Sequence, residues 1–226
     1  MVMPSEDATL VTTRTSLHAL AVQVISPLRV QATGHEIALQ PRPGGFGTPE
    51  LPEGGWVGVS GTDVVRVDAD GAQERAPITS LLDAADFVGL DDAASDLSDD
   101  PLEVHSGAAT ILADTWARGA EALATFAEHA EDPSPAILWP EHFDVAIEAG
   151  AEAEGTRATY GISPGDADHP EPYAYVGPWQ APAETGPSTF WNATGFTGAQ
   201  RPADDPDEIA VFFRAADERL RAGAGA

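Results

Sequence analysis

Between Gly107 and Ala130 the residues Ile111, Leu112, Trp116, Ala120, Leu123 and Ala127 recur at helical spacing, and Pro133 and Pro135 end the run. This spacing places them on one face of a long helix, and a helix so patterned must bury that face. The remaining chain determines what it packs against, and there the period shortens. Strands are expected at 36–40, 56–60, 64–68 and 72–78 before the helix, with Asp70-Gly71 as a tight hairpin turn. After it, strands are expected at 136–139, 143–149, 157–162 and 173–177. The Gly- and Pro-rich stretch Pro41–Gly55 reads as a loop ordered by Phe46.

Further helices are expected at 14–26, 79–88 and 207–221. The first carries Leu17, Leu20, Ala21, Val24 and Ile25 and should stop at Pro27, after which Leu28-Arg29-Val30 reads as a strand running to a turn at Gly34. Helices interspersed with antiparallel strands make an α+β fold, either as one domain or as two similar helix–strands–helix halves. No residue-level identity links the halves, so a single domain over 14–222 is expected, preceded by a flexible N-terminus, residues 1–13. The region 91–105, which opens with the acidic run Asp91–Asp100, is the place for a sub-boundary.

Charge and missing residue types exclude much chemistry. Eleven basic against 37 acidic residues give a net charge of −26, a field that repels nucleic acid and anionic membrane surfaces. All the basic residues are arginine, so no lysine is present to anchor pyridoxal phosphate, biotin or lipoate. Without cysteine there is no thiolate nucleophile, disulfide or iron–sulfur ligation. The apolar run Leu17–Leu28 is too short to span a bilayer, and Met1–Thr13 lacks the basic flank of a secretory signal. A cytoplasmic location is the expectation; the oligomeric state is not set by the sequence.

The chemistry-bearing residues gather in the last third. Trp139-Pro140-Glu141-His142-Phe143-Asp144 and Ser163-Pro164-Gly165-Asp166-Ala167-Asp168-His169-Pro170-Glu171-Pro172-Tyr173 combine imidazoles, carboxylates and proline-pinned aromatics. If Phe143 and Val145 point into the core, His142 and Asp144 share the other face of a strand, and the carboxylate would fix the imidazole tautomer. His142 and His169, with Asp166, Asp168 and Glu171, would supply the nitrogen and oxygen ligands of a divalent metal. A rigid structural loop is the other reading of the same residues. Asn192, the one asparagine, follows Trp191 and would either read a ligand or occupy a left-handed turn.

Other motifs weaken on inspection. Gly161-Ile162-Ser163-Pro164-Gly165 fits a hydrolase nucleophile elbow, but Pro164 has no N–H for an oxyanion hole and no long helix is readable after it. Asp68-Ala69-Asp70-Gly71 lacks the glutamate that completes a calcium loop.

The runs 139–144, 160–166 and 169–179, with Pro43-Gly44-Gly45-Phe46-Gly47-Thr48-Pro49 and Phe190-Trp191-Asn192, resemble an uncharacterised family of actinobacterial proteins. The resemblance spans about residues 14 to 200 and implies a bacterial, cytoplasmic protein. It implies no activity and carries over no catalytic residue.

The expected function is a small-molecule binding module. Trp139, Trp179 and Trp191 would form its walls, His142, Asp144 and Asn192 its polar anchors, with Tyr173 beside them and Pro41–Thr48 at the rim. The alternatives are a metal-dependent or general-base enzyme using His142 and His169, and an interaction or scaffold protein.

Overall fold

The N-terminal helix does not stop at Pro27. In the computed structural model, which describes residues 6–91, 97–183, 185–186 and 188–224, helix α1 (Glu6–Leu20) passes through a π-helical turn, Ala21–Ile25, into α2 (Ser26–Thr33). The Ser26 N–H bonds the Ala21 carbonyl five residues back, and this wider turn lets the chain accept a proline near the start of α2. The strand expected at Leu28-Arg29-Val30 is therefore helical. Gly34, with φ at 89°, ends α2 in the left-handed conformation that glycine adopts without strain.

Five short strands follow: β1 (Gln40–Arg42), β2 (Gly45–Gly47), β3 (Trp56–Ser60), β4 (Asp63–Val67) and β5 (Gln73–Pro77). They pair in chain order as an antiparallel meander. The expected loop from Pro41 thus contains a hairpin, and Phe46 is fully buried within it. At the Asp70-Gly71 turn, Asp68 Oδ1 accepts from the N–H groups of Asp70 and Ala72, so this carboxylate serves a hairpin turn. Helix α3 (Leu81–Val88) is capped by Ser80, whose hydroxyl accepts from Asp83 N at 3.1 Å. Half of the acidic run Asp91–Asp100 after it, residues 92–96, lies outside the described residues.

The long helix α4 (Ser106–Ala127) forms where the spacing predicts, and Leu112, Trp116 and Leu123 are buried, but Ile111 is exposed and Ala122 and Phe126 complete the buried face in its place. A second antiparallel sheet then forms from β6 (Ile137–Trp139), β7 (Asp144–Ala149), β8 (Ala158–Ser163), β9 (Tyr173–Pro178) and β10 (Ala199–Pro202), in the order β10-β9-β8-β7-β6. Helix α5 (Pro206–Ala224) closes the described chain. The architecture is α+β. No helix among the described residues is long and apolar enough to cross a membrane.

The chain divides into two units, Met1–Asp114 with Leu138–Phe143, and Thr115–Ile137 with Asp144–Ala226. In the first, Phe143 is buried with its ring stacked on His18 at 5.1 Å and edge-on to Phe46 at 5.2 Å. Leu39 and Leu138 exchange backbone hydrogen bonds there. In the second, alternation along the strands sends Val145, Ile147, Tyr160, Ile162, Ala174 and Val176 to one buried face. Gly119 of α4 lies against that face, and a Cβ there would come within 2.9 Å of Val145 and 3.0 Å of Ile162. Phe126 of α4 and Phe213 of α5 pack on Tyr160 at 4.4 and 5.7 Å, closing the core.

Candidate functional site

The opposite face of the second sheet is polar, and its register brings chemistry together. Asp144, at the start of β7, falls beside Ser163 at the end of β8, and Ser163 pairs with Tyr173 on β9. The next row on that face is Ala146, Gly161, Tyr175 and Gln200. A solvent-facing row of an ordinary sheet would hold exposed charges, yet Asp144 is 4% and Ser163 6% exposed.

Two phenol–carboxylate pairs organise this face. The Tyr175 hydroxyl donates a hydrogen bond to Asp144 Oδ2, and the Tyr173 hydroxyl donates to Asp166 Oδ2 at 2.6 Å. Tyr175 reaches β7 because its ring lies over Gly161; a Cβ at that position would sit 2.5 Å from the phenol ring. Burial, and then the Asp144 charge, push the Tyr175 phenol well above its ordinary range. Burial and the bond to Asp166 push Tyr173 up to about 12. Partial burial opposes ionisation of Asp166, but hydrogen bonds from Tyr173 and from the backbone N–H groups of His169 and Asp168 outweigh it and hold the carboxyl below its ordinary range.

The imidazole of His169 sits beside these pairs. Its Nδ1 lies 2.9 Å from the Asp168 carbonyl, so Nδ1 carries the proton, and Nε2 accepts a hydrogen bond from the Gln200 carboxamide. Thr194 Oγ1 stands 3.5 Å from the same nitrogen, and the Tyr173 ring meets the imidazole edge-on at 5.4 Å. Phe196 covers Tyr175 edge-on at 5.9 Å.

The residues singled out in the sequence distribute unevenly over this arrangement. Asp144, Asp166, His169 and Tyr173 belong to the network. Asp168 and Glu171 are exposed on its loop. Asn192 is not in a left-handed conformation: its Oδ1 accepts from the Gln200 N–H at 2.9 Å and ties the loop before β10 to that strand. Trp191 is buried edge-on against Phe190 at 5.0 Å, while Phe190 packs on Phe212 of α5, so Trp191 is an anchor of its loop. Trp179 lies on the polar face beyond the end of β9, roughly 13 Å along the chain from Tyr175 at strand rise. It is about half exposed and stacks against the Arg157 guanidinium at 5.4 Å.

Trp139 and His142 belong to the first unit. His142 does not share a strand face with Asp144, because Phe143 between them has φ at 58° and breaks the alternation; His142 is exposed in the turn before β7. Among the described residues no three His, Cys, Asp or Glu side chains gather to hold a metal ion, so His142, His169, Asp166, Asp168 and Glu171 do not form the expected ligand set. Ser163 ends β8 with its hydroxyl accepting from Gly165 N at 3.1 Å, and irregular chain follows, as Pro164 requires.

Tyr175, Gly161 and Gln200 join the site only through the strand register. The Tyr173-Ala174-Tyr175 alternation was the available signal, since it puts both phenols on one strand face. Compared with protein-family models, curated proteins and solved structures, the chain matches none.

Proposed function

We propose that the protein is a small-molecule binding module whose site is the polar face of the second sheet. Tyr173, Tyr175, His169, Asn192 and Gln200 form a half-buried ring of aromatic and hydrogen-bonding groups over a buried floor of Asp144 and Ser163. The observation that carries the reading is the pair of tyrosines locked onto carboxylates of other elements. Four side chains are thereby held on rigid strands and a pinned loop before any ligand arrives, which lowers the entropic cost of binding.

The ligand class is a small polar molecule that presents both donors and acceptors and has a flat apolar face for the Tyr173, Tyr175 and Phe196 rings. The net charge of −26 disfavours nucleic acids and anionic membranes as partners. The chemistry favours binding over metal-dependent turnover, because both Asp166 oxygens are committed to hydrogen bonds within the loop and with Tyr173.

A thermal-shift screen against small polar metabolites tests this. A true ligand at a hundredfold excess over its Kd stabilises by about 2.7 kcal/mol, and that gain should shrink in Tyr173→Phe and Tyr175→Phe. A screen with no stabilising compound, or a gain untouched by both substitutions, overturns the assignment.

A further inference from the structure

Gln200 faces His169 with a carboxamide, a side-chain group that can answer both states of an imidazole by donating from one end or accepting at the other. We propose that the two residues form a proton-driven toggle, in which protonation of His169 turns the Gln200 carboxamide end for end.

The Asp168 carbonyl, 2.9 Å from Nδ1, can only accept, so the Nδ1 proton is fixed and any change of charge falls on Nε2. In the neutral ring Nε2 is a lone pair, and the Gln200 amide N–H points to it. The cost of this orientation is visible at the other end of the amide, where Gln200 Oε1 is buried without a hydrogen-bond partner among the described residues. Once Nε2 gains a proton, two donors face each other. Rotating the carboxamide by half a turn brings Oε1 to the imidazolium and gives the orphaned acceptor its bond.

The groups around the ring permit this exchange. From its own loop come the Asp166 carboxylate, which accepts from the His169 backbone N–H, and Asp168. Tyr173 of β9 presents its ring at 5.4 Å, and Thr194 contributes a hydroxyl that either accepts or donates. Because the Gln200 backbone N–H also holds Asn192, the toggle connects the 163–172 loop, β10 and the 192–198 loop.

Nitrogen-15 NMR of the whole chain, followed from about pH 8 to pH 5 where imidazoles titrate, tests the proposal. The expected result is an Nδ1–H tautomer of His169 at the upper end and Gln200 side-chain amide signals that move with the His169 midpoint. Gln200→Glu, which can only accept when ionised, should move that midpoint to higher pH. Gln200→Met, which can do neither, should move the His169 Nε2 resonance of the neutral form downfield, because a lone-pair nitrogen that loses its hydrogen-bond donor is less shielded. The proposal is overturned if neutral His169 carries its proton on Nε2, or if the Gln200 amide signals stay fixed while the ring titrates. Both of these are read from the unsubstituted protein, so they hold even where a variant fails to fold.

Discussion

The Tyr175 hydroxyl on β9 reaches over β8 to the Asp144 carboxylate on β7, and the only reason it can do so is that the residue beneath its ring is Gly161. One strand therefore contributes to the site by having no side chain. Placing a methyl group there should displace the phenol: Gly161→Ala is expected to cost about 1–3 kcal/mol in denaturant unfolding. The same change made in a Tyr175→Ala background should cost markedly less, and equal costs in the two backgrounds would refute the contact.

Removing only the hydroxyl isolates the hydrogen bond. Tyr175→Phe keeps the ring over Gly161 and withdraws a donor from a buried carboxylate, so a loss of about 1.5–3 kcal/mol is expected. Tyr173→Phe, whose partner Asp166 is exposed and also holds two backbone N–H groups, should cost less. Chemical denaturation of the two variants side by side decides the order.

The phenols also govern behaviour in alkali. Tyr160, Tyr173 and Tyr175 all ionise above the ordinary value of 10.0, Tyr173 at about 12. Between those values the unfolded chain has lost protons that the folded chain retains, so the unfolded state is favoured as pH rises. The stability these groups contribute is intact below about pH 10 and is lost as pH climbs through about 12. Tyrosinate absorbance should rise together with loss of circular dichroism; a tyrosinate signal centred at pH 10 in a protein that is still folded would contradict it.

Phe143 offers a test of backbone strain. It is a bulky residue at φ of 58°, where side chains are disfavoured, yet its ring is buried between His18 and Phe46. Phe143→Ala should destabilise by about 3–5 kcal/mol through loss of that burial. Phe143→Gly should be no worse and better by about 1 kcal/mol, the reverse of the usual order, because glycine relieves the left-handed conformation. Thermal melts of the two variants check the order.

Much of the fold is legible in the residues where a single period runs long enough. The α4 helix, the β3–β4–β5 meander with its Asp70-Gly71 turn, and α5 all lie where the periodicity puts them, although within α4 Ile111 faces outward and Phe126 inward. The chain escapes such reading where a local rule meets a tertiary one. Pro27 marks the end of a helix by its missing N–H, but the π turn before it absorbs the defect. β10, with Ala199-Gln200-Arg201-Pro202, has too little pattern to stand out and exists because β9 offers an edge. At the site, His142 looks like a partner of Asp144 until the left-handed Phe143 turns it away. Tyr175 was hidden for the opposite reason: it obeys the alternation of its strand so well that only the pairing with Gly161 reveals its task.

The short excursion of residues 138–143 means that neither unit is one continuous piece of polypeptide. A fragment ending at Asp114 would lack Leu138, the backbone partner of Leu39, and would leave a hollow where the Phe143 ring fills the space beside His18 and Phe46. Splitting the gene at any one point would orphan part of a hydrophobic interior, so dissection of this protein calls for circular rearrangement or co-expressed pieces in place of simple truncation.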